Sequence, residues 1–278
     1  MSKNIMQLTW QELAQINKDS AVIFVNIAPI EQHSIHLPLG VDVYETEYWQ
    51  KLASKLLKEQ TYEVYHLPVI PCGYATKTNI VGNLYLSKNT LFNLVYEVLN
   101  NIAQWKFKNI VLLSAHADPI HNIIMEKACD KINAENGIKA IAPMGAIFSG
   151  EKVGINSENC AEVNALLTSY PHDYHAGWIE TSCMLNYNKM LVKDKYKDMP
   201  NIEIDPKHML SKKKLNKSTG DYGHLGYPQY ASTDIGRQLN EAMAKQIVKA
   251  TTAFIKRDGY EKYQHHFLYS KPFVKLMV

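Results

Sequence analysis

Ala21-Val22-Ile23-Phe24-Val25-Asn26-Ile27-Ala28 is an apolar run rich in Val and Ile, broken only by Asn26. Branched apolar residues without polar alternation suit a strand buried on both faces, the position a strand takes inside a parallel sheet. Tyr62 to Ile70 and Asn109 to Ser114 read in a similar way. Helical patterning covers Val43 to Lys58, Asn89 to Trp105 and Ile120 to Glu135. Strand and helix therefore alternate. The expected fold class is α/β, a single-domain layered α/β/α arrangement with a mainly parallel central sheet.

Outward from this frame, Thr9 to Glu12 has capping-box spacing and predicts a short helix. Beyond Thr233, Ile235, Leu239, Met243, Ile247 and Phe254 form an apolar stripe at helical spacing, which predicts a long core-packed helix. Residues 192–219 are rich in Lys, Asp and Pro and read as a surface excursion, with Lys212 to Lys217 as a solvated loop or an anion-attracting rim. The tail, residues 260–278, carries Tyr263, Phe267, Tyr269 and Phe273, so it is expected to pack on its own domain or on a partner subunit. No linker or repeat divides residues 1–278, which read as one domain.

Composition narrows the function classes. Lys and Arg number 30 against 27 Asp and Glu, too even a balance to imply a nucleic-acid footprint. Cys72, Cys129, Cys160 and Cys183 form no C-x-x-C pair, which argues against a thiolate zinc cluster or a disulfide framework. Neither a secretory leader nor a membrane-spanning stretch is legible, so a cytoplasmic protein without membrane partners is expected.

The polar clusters fall just after the strands, where open α/β sheets collect ligands. Ala28-Pro29-Ile30-Glu31-Gln32-His33-Ser34-Ile35-His36-Leu37-Pro38-Leu39-Gly40-Val41-Asp42 follows the first strand. Glu31 and His33 are two apart, so in extended chain they share a face while Gln32 points away. With Asp42 they offer carboxylate and imidazole to a divalent cation such as zinc, manganese or iron. The purely structural alternative is a polar loop in which Asp42 caps the next helix. His116 and Asp118 follow the third strand, and Asp118 before Pro119 also suits a helix cap. His121 is expected to face solvent on that helix. Later, His175 and Glu180 lie near a helix start: the imidazole suits proton transfer, and the carboxylate suits metal ligation or support.

Together these segments resemble the creatininase (creatinine amidohydrolase) family. Glu31 to Asp42 meets the pattern Glu-Gln-His-Gly-x-His-Leu-Pro-Leu-x-x-Asp with Ser34 in place of Gly, and His175 to Ser182 meets His-Ala-Gly-x-x-Glu-Thr-Ser in full. Gly220 to Pro228, with Ala231 and Gly236, looks like a diverged form of the family's closing glycine-rich segment. The resemblance implies a layered α/β fold assembled as a homohexamer, with a binuclear metal site activating water against a small-molecule amide. By it Glu31 and His116 would bind one metal, His33 the other, and Asp42 would bridge. Asp118 falls where creatinine hydrolases place a ligating Glu, His175 on the catalytic histidine, and Glu180 on an acid of the pattern.

Departures bear on the substrate. Residues Ser114 to Pro119 replace a glycine-rich Asn-Gly-His-Gly-Gly-Asn, and Tyr170, Pro171 and His172 stand where creatinine hydrolases carry a ring-packing Trp. Trp178 or Tyr174 would have to substitute. Asn79 and Gly82 are the nearest equivalents in a changed Gly73 to Leu84 segment, so Tyr174, Trp178 and Asn79 are the candidate substrate contacts. The leading expectation is hydrolysis of a C–N bond in a small cyclic or related amide. A deformylase or maturation peptidase of this fold, and a non-catalytic small-molecule binding protein, are the alternatives.

Overall fold

The computed structural model describes residues 2–76, 80–150 and 161–275. Its strands are β1 (Lys3–Asn4), β2 (Val22–Asn26), β3 (Val64–His66), β4 (Asn109–Leu113) and β5 (Lys139–Ile141). Its α-helices are α1 (Trp10–Gln15), α2 (Val41–Glu59), α3 (Lys88–Gln104), α4 (Pro119–Asn136), α5 (Met144–Ser149), α6 (Ala161–Ser169), α7 (Trp178–Asn188), α8 (Lys212–Thr219), α9 (Thr233–Lys256) and α10 (Pro272–Lys275). The strands form one sheet in the order β1-β3-β2-β4-β5, and every pairing is parallel. Helices cover both faces, as parallel crossovers require.

The apolar run at Ala21 is the hinge of this arrangement because its side chains alternate between two cores. Val22 and Phe24, with Val111 and Leu113 of β4, pack on Trp49, Ala53 and Leu57 of α2 and on Leu239, Met243 and Ile247 of α9. Ile23 and Val25, with Ile110 and Leu112, pack on Leu91, Val95 and Leu99 of α3 and on Ile120 and Ile124 of α4. Asn26, the polar interruption, sits at the carboxyl end of β2 and donates from Nδ2 to the Leu67 carbonyl at 3.0 Å.

Local signals set the helix ends. The capping box forms: Glu12 N donates to Thr9 Oγ1 at 3.3 Å and Thr9 N to Glu12 Oε2 at 2.7 Å. Helix α4 opens on Asp118 with Pro119 inside its first turn and closes at Gly137, whose φ is 61°. Asp42 does not cap α2. That position falls to Gly40, and Asp42 lies inside the first turn, which frees its carboxylate.

Three regions go beyond the sequence expectation. The outer strands β1 and β5 are two and three residues long, too short to show a pattern. Within residues 192–219 the basic run is helical, not a loop, over Lys212–Thr219. The tail packs on its own domain: His266 N donates to Glu126 Oε1 at 2.9 Å, Tyr269 Oη donates to Asp130, and Val274 is fully buried. Residues 276–278 lie outside the described residues.

Candidate metal centre

Two side-chain groups converge beyond the carboxyl ends of β2 and β4. Glu31, Asp42 and His116 make one, and His33, His175 and Glu180 the other; within each, one ligand atom per residue lies within 4.8 Å of the others. His116 Nδ1 stands 3.3 Å from Glu31 Oε2 and 3.2 Å from Asp42 Oδ2. His33 Nε2 stands 3.5 Å from Asp42 Oδ1 and 3.7 Å from Glu180 Oε2. Asp42 thus turns one oxygen to each group.

The backbone that holds these groups explains the sequence pattern. Glu31 N donates to the Leu39 carbonyl at 3.0 Å, closing the loop that leads from β2 into α2. Ser34 takes a φ of 65°, the left-handed region that favours glycine. It is held there by its N–H to Gln32 Oε1 at 2.9 Å and by its hydroxyl to the Tyr222 carbonyl at 2.6 Å. His33 Nδ1 lies 2.9 Å from the Glu31 carbonyl, which can only accept, so Nδ1 carries the proton and Nε2 faces the carboxylates. By the same logic His175 Nε2, 2.8 Å from the Gln32 carbonyl, donates and leaves Nδ1 with the lone pair.

The His-Ala-Gly-x-x-Glu-Thr-Ser stretch is held from both sides. Ala176 N donates to Glu180 Oε2 at 2.5 Å, orienting that carboxylate. Asp173 accepts from Trp178 N and Ile179 N at 2.9 Å each and from Tyr227 N at 3.0 Å. A Cβ on Gly177 would stand 1.8 Å from Asp173 Oδ1, so only glycine allows this clasp. His36 Nε2 lies 2.8 Å from Thr181 Oγ1 and locks the loop after β2 onto α7.

Buried charge dominates this arrangement. Burial disfavours the imidazolium of His33, yet Asp42, Glu180 and Glu31 outweigh it and hold the ring at a pKa of about 9. The same contest, with Asp42 and Glu31 winning, holds His116 at about 10. Burial also opposes ionisation of Asp42, but His116 and His33 keep it well below the usual carboxylate range. His33 Nε2, Asp42 Oδ2 and His116 Nε2 are nonetheless buried without a hydrogen-bond partner. Oxygens and nitrogens bound tetrahedrally at about 2.0–2.2 Å from an ion stand about 3.3–3.6 Å apart. The observed 3.2 to 3.7 Å separations match that spacing. The donor set therefore fits two divalent cations.

Several expectations need correction. Asp118 joins neither group. Its Oδ1 accepts from Ile120 N at 2.8 Å and His121 N at 3.2 Å, and Oδ2 accepts from Thr76 N at 2.7 Å, so the carboxylate is spent on capping α4. Its short arm reaches backbone donors before the metal groups. His121 does not face solvent. It is fully buried, accepts from Tyr74 N at 3.2 Å and stacks edge-on to His116 at 5.2 Å, while burial lowers its pKa to about 3. Gln32 does not point away, since its Nε2 lies 3.3 Å from His175 Nε2 and donates to the Gly223 carbonyl at 2.8 Å. Trp178 is fully buried in the core between the sheet and α9 and cannot pack a substrate ring. Tyr174 does line the adjoining cavity. Asn79 lies outside the described residues.

That cavity, about 750 Å³, opens onto His175 and Glu180. Glu45 also lines it, a residue that sequence reading passed over; its spacing from Asp42, one helical turn, was the available signal. Burial, with Glu180 and Asp42 nearby, pushes the Glu45 carboxyl well above its ordinary range.

Comparison with known proteins bears on the family and the fold. The family model "Creatininase: Creatinine amidohydrolase" matches residues 6–251. A creatininase structure described as Mn superposes with a TM-score of 0.69 at 20% identity, covering 91% of this chain and 99% of the other. A putative creatinine amidohydrolase from Bacteroides fragilis NCTC 9343 gives 0.67 at 17% identity, covering 94% and 99%. A Zn-Zn type creatininase mutant gives 0.66 at 19%, covering 91% and 99%. At these identities the structures speak for the fold alone. Among curated proteins, none matches the sequence.

Proposed function

The chain belongs to the creatininase family, and on that footing we propose that it is a metal-dependent hydrolase of a C–N bond in a non-peptide amide. The observation that carries the reading is Asp42, whose two oxygens face two separate and largely buried ligand groups. Related structures described as Mn and Zn-Zn type support the choice of metals, two per chain.

Glu31, Asp42 and His116 would hold one cation, and His33, Asp42 and Glu180 the other. When bound, such a pair lowers the pKa of water and polarises the amide carbonyl. Asp42 fixes the spacing between the two positions. The Glu31 carbonyl keeps His33 in the tautomer that presents Nε2, and the Ala176 N–H orients Glu180. His175, anchored through Nε2 to the Gln32 carbonyl, takes on its free Nδ1 the proton that the attacking water gives up and passes it to the departing nitrogen. Its neighbour His33 lies ring to ring at 4.5 Å, so the proton carrier borders the metal position.

Zinc- or manganese-reconstituted protein offered primary amides, lactams and formamides should hydrolyse a member of that set. His33→Ala or Asp42→Ala should lose metal and turnover together. Full turnover without bound metal would sink the reading. Assembly as a cytoplasmic homohexamer belongs to the same proposal and is checked by light scattering of the purified chain.

A further inference from the structure

Helix α2 carries Asp42, Glu45 and Trp49 at spacings of three and four residues, which places them along one face. The face runs from the Asp42 carboxylate, past a second acid, to an apolar ring. Glu45 is 3% exposed and lines the cavity, and its Oε1 is sealed from solvent without a hydrogen-bond partner. No hydrogen bond or ion pair to Glu45 is found among the described residues. A buried carboxyl left without a partner costs stability, and nothing among the described residues around it repays that cost. Beyond it the chamber is mainly apolar, walled by Trp49, Phe148, Leu239 and Met243 and by Phe267 and Leu268 of the C-terminal segment, with Asp173, Lys207 and His266 also in its lining.

We infer that the substrate is an amide with an amino group next to its scissile carbonyl, received by Glu45, and an apolar side chain that occupies the chamber. With the carbonyl at the metal pair, the order of groups along α2 matches the branching of an α-amino amide. Carbonyl, ammonium and hydrocarbon leave one carbon toward Asp42, Glu45 and Trp49 respectively. The carboxyl gives up its proton to solvent as the ammonium arrives, and a charge-assisted hydrogen bond then satisfies it. This rests on the metal-dependent reading above.

Hydroxamates test it by binding alone, because they anchor on metal without turnover. Calorimetry on the zinc-loaded protein would compare leucine hydroxamate, 4-methylpentanohydroxamate, which lacks the amine, and glycine hydroxamate, which lacks the side chain. Leucine hydroxamate should bind at least about tenfold more tightly than either, as one charge-assisted hydrogen bond or one buried side chain provides. Glu45→Leu should keep its metal and bind leucine hydroxamate no better than the des-amino compound; Glu45→Gln serves if the leucine variant fails to fold. Equal binding of the amino and des-amino compounds by the unaltered protein overturns the role of Glu45 and leaves the metal reading standing. No hydroxamate binding to protein that holds zinc overturns both.

Discussion

Asp118 and Ser34 show how far one side chain's reach decides its role. Asp118 lies two residues from His116, as a second ligand would, but three backbone N–H groups engage its oxygens. Asn caps a helix about as well as Asp, and Ala costs about 1 kcal/mol. Asp118→Asn should therefore keep both metals and the cap but lose about 1 kcal/mol, because its amide nitrogen cannot accept from Thr76 N, and Asp118→Ala should lose about 2 kcal/mol in urea denaturation while still binding metal. Metal loss in Asp118→Asn would restore it as a ligand. Ser34 carries the strain of a positive φ, about 1 kcal/mol, offset by its hydrogen bond to Tyr222. Ser34→Gly removes both and should be near neutral. Ser34→Ala keeps the strain and loses the bond, so it should melt below the glycine variant.

Among the elements, α7 and α9 meet so closely that chemistry and packing share residues. A Cβ at Gly236 would stand 1.8 Å from the Ser182 carbonyl oxygen, on the helix that carries Glu180. Gly236→Ala should destabilise by at least about 1–3 kcal/mol, the cost of overpacking, and should weaken metal binding by displacing α7; chemical denaturation with metal titration reads both. The inner strands and the long helices were legible in the sequence because apolar runs and stripes leave a period. Strands β1 and β5 left none, being two and three residues long. The ligand candidates on the loop after β2 were legible as a motif. Glu45 was not, because an acid on a helix face reads as solvated until the cavity it lines is known. Trp178 was misread for the opposite reason, since residue type suggested a role and burial removed it, whereas His121 was expected at the surface and is buried.

At the scale of the molecule, the metal centre competes with its own protons. In metal-free protein His33 and His116 have pKa values of about 9 and 10, raised from about 6.5. Their stabilising contribution is complete below about pH 6.5 and is lost as pH rises through 9 to 10. Cations require the unprotonated rings, so metal affinity moves the other way. Thermal melts with chelator should fall between pH 6.5 and 10, and the melting increment given by zinc should grow over the same range. A zinc increment that shrinks as pH rises would contradict this linkage. Elemental analysis of purified unaltered protein beside Asp42→Ala tests the central claim most directly. About two divalent ions per chain, as a binuclear mechanism needs, falling to none in the variant, is the predicted result. A metal-free native protein, or a variant that keeps both ions, would contradict it.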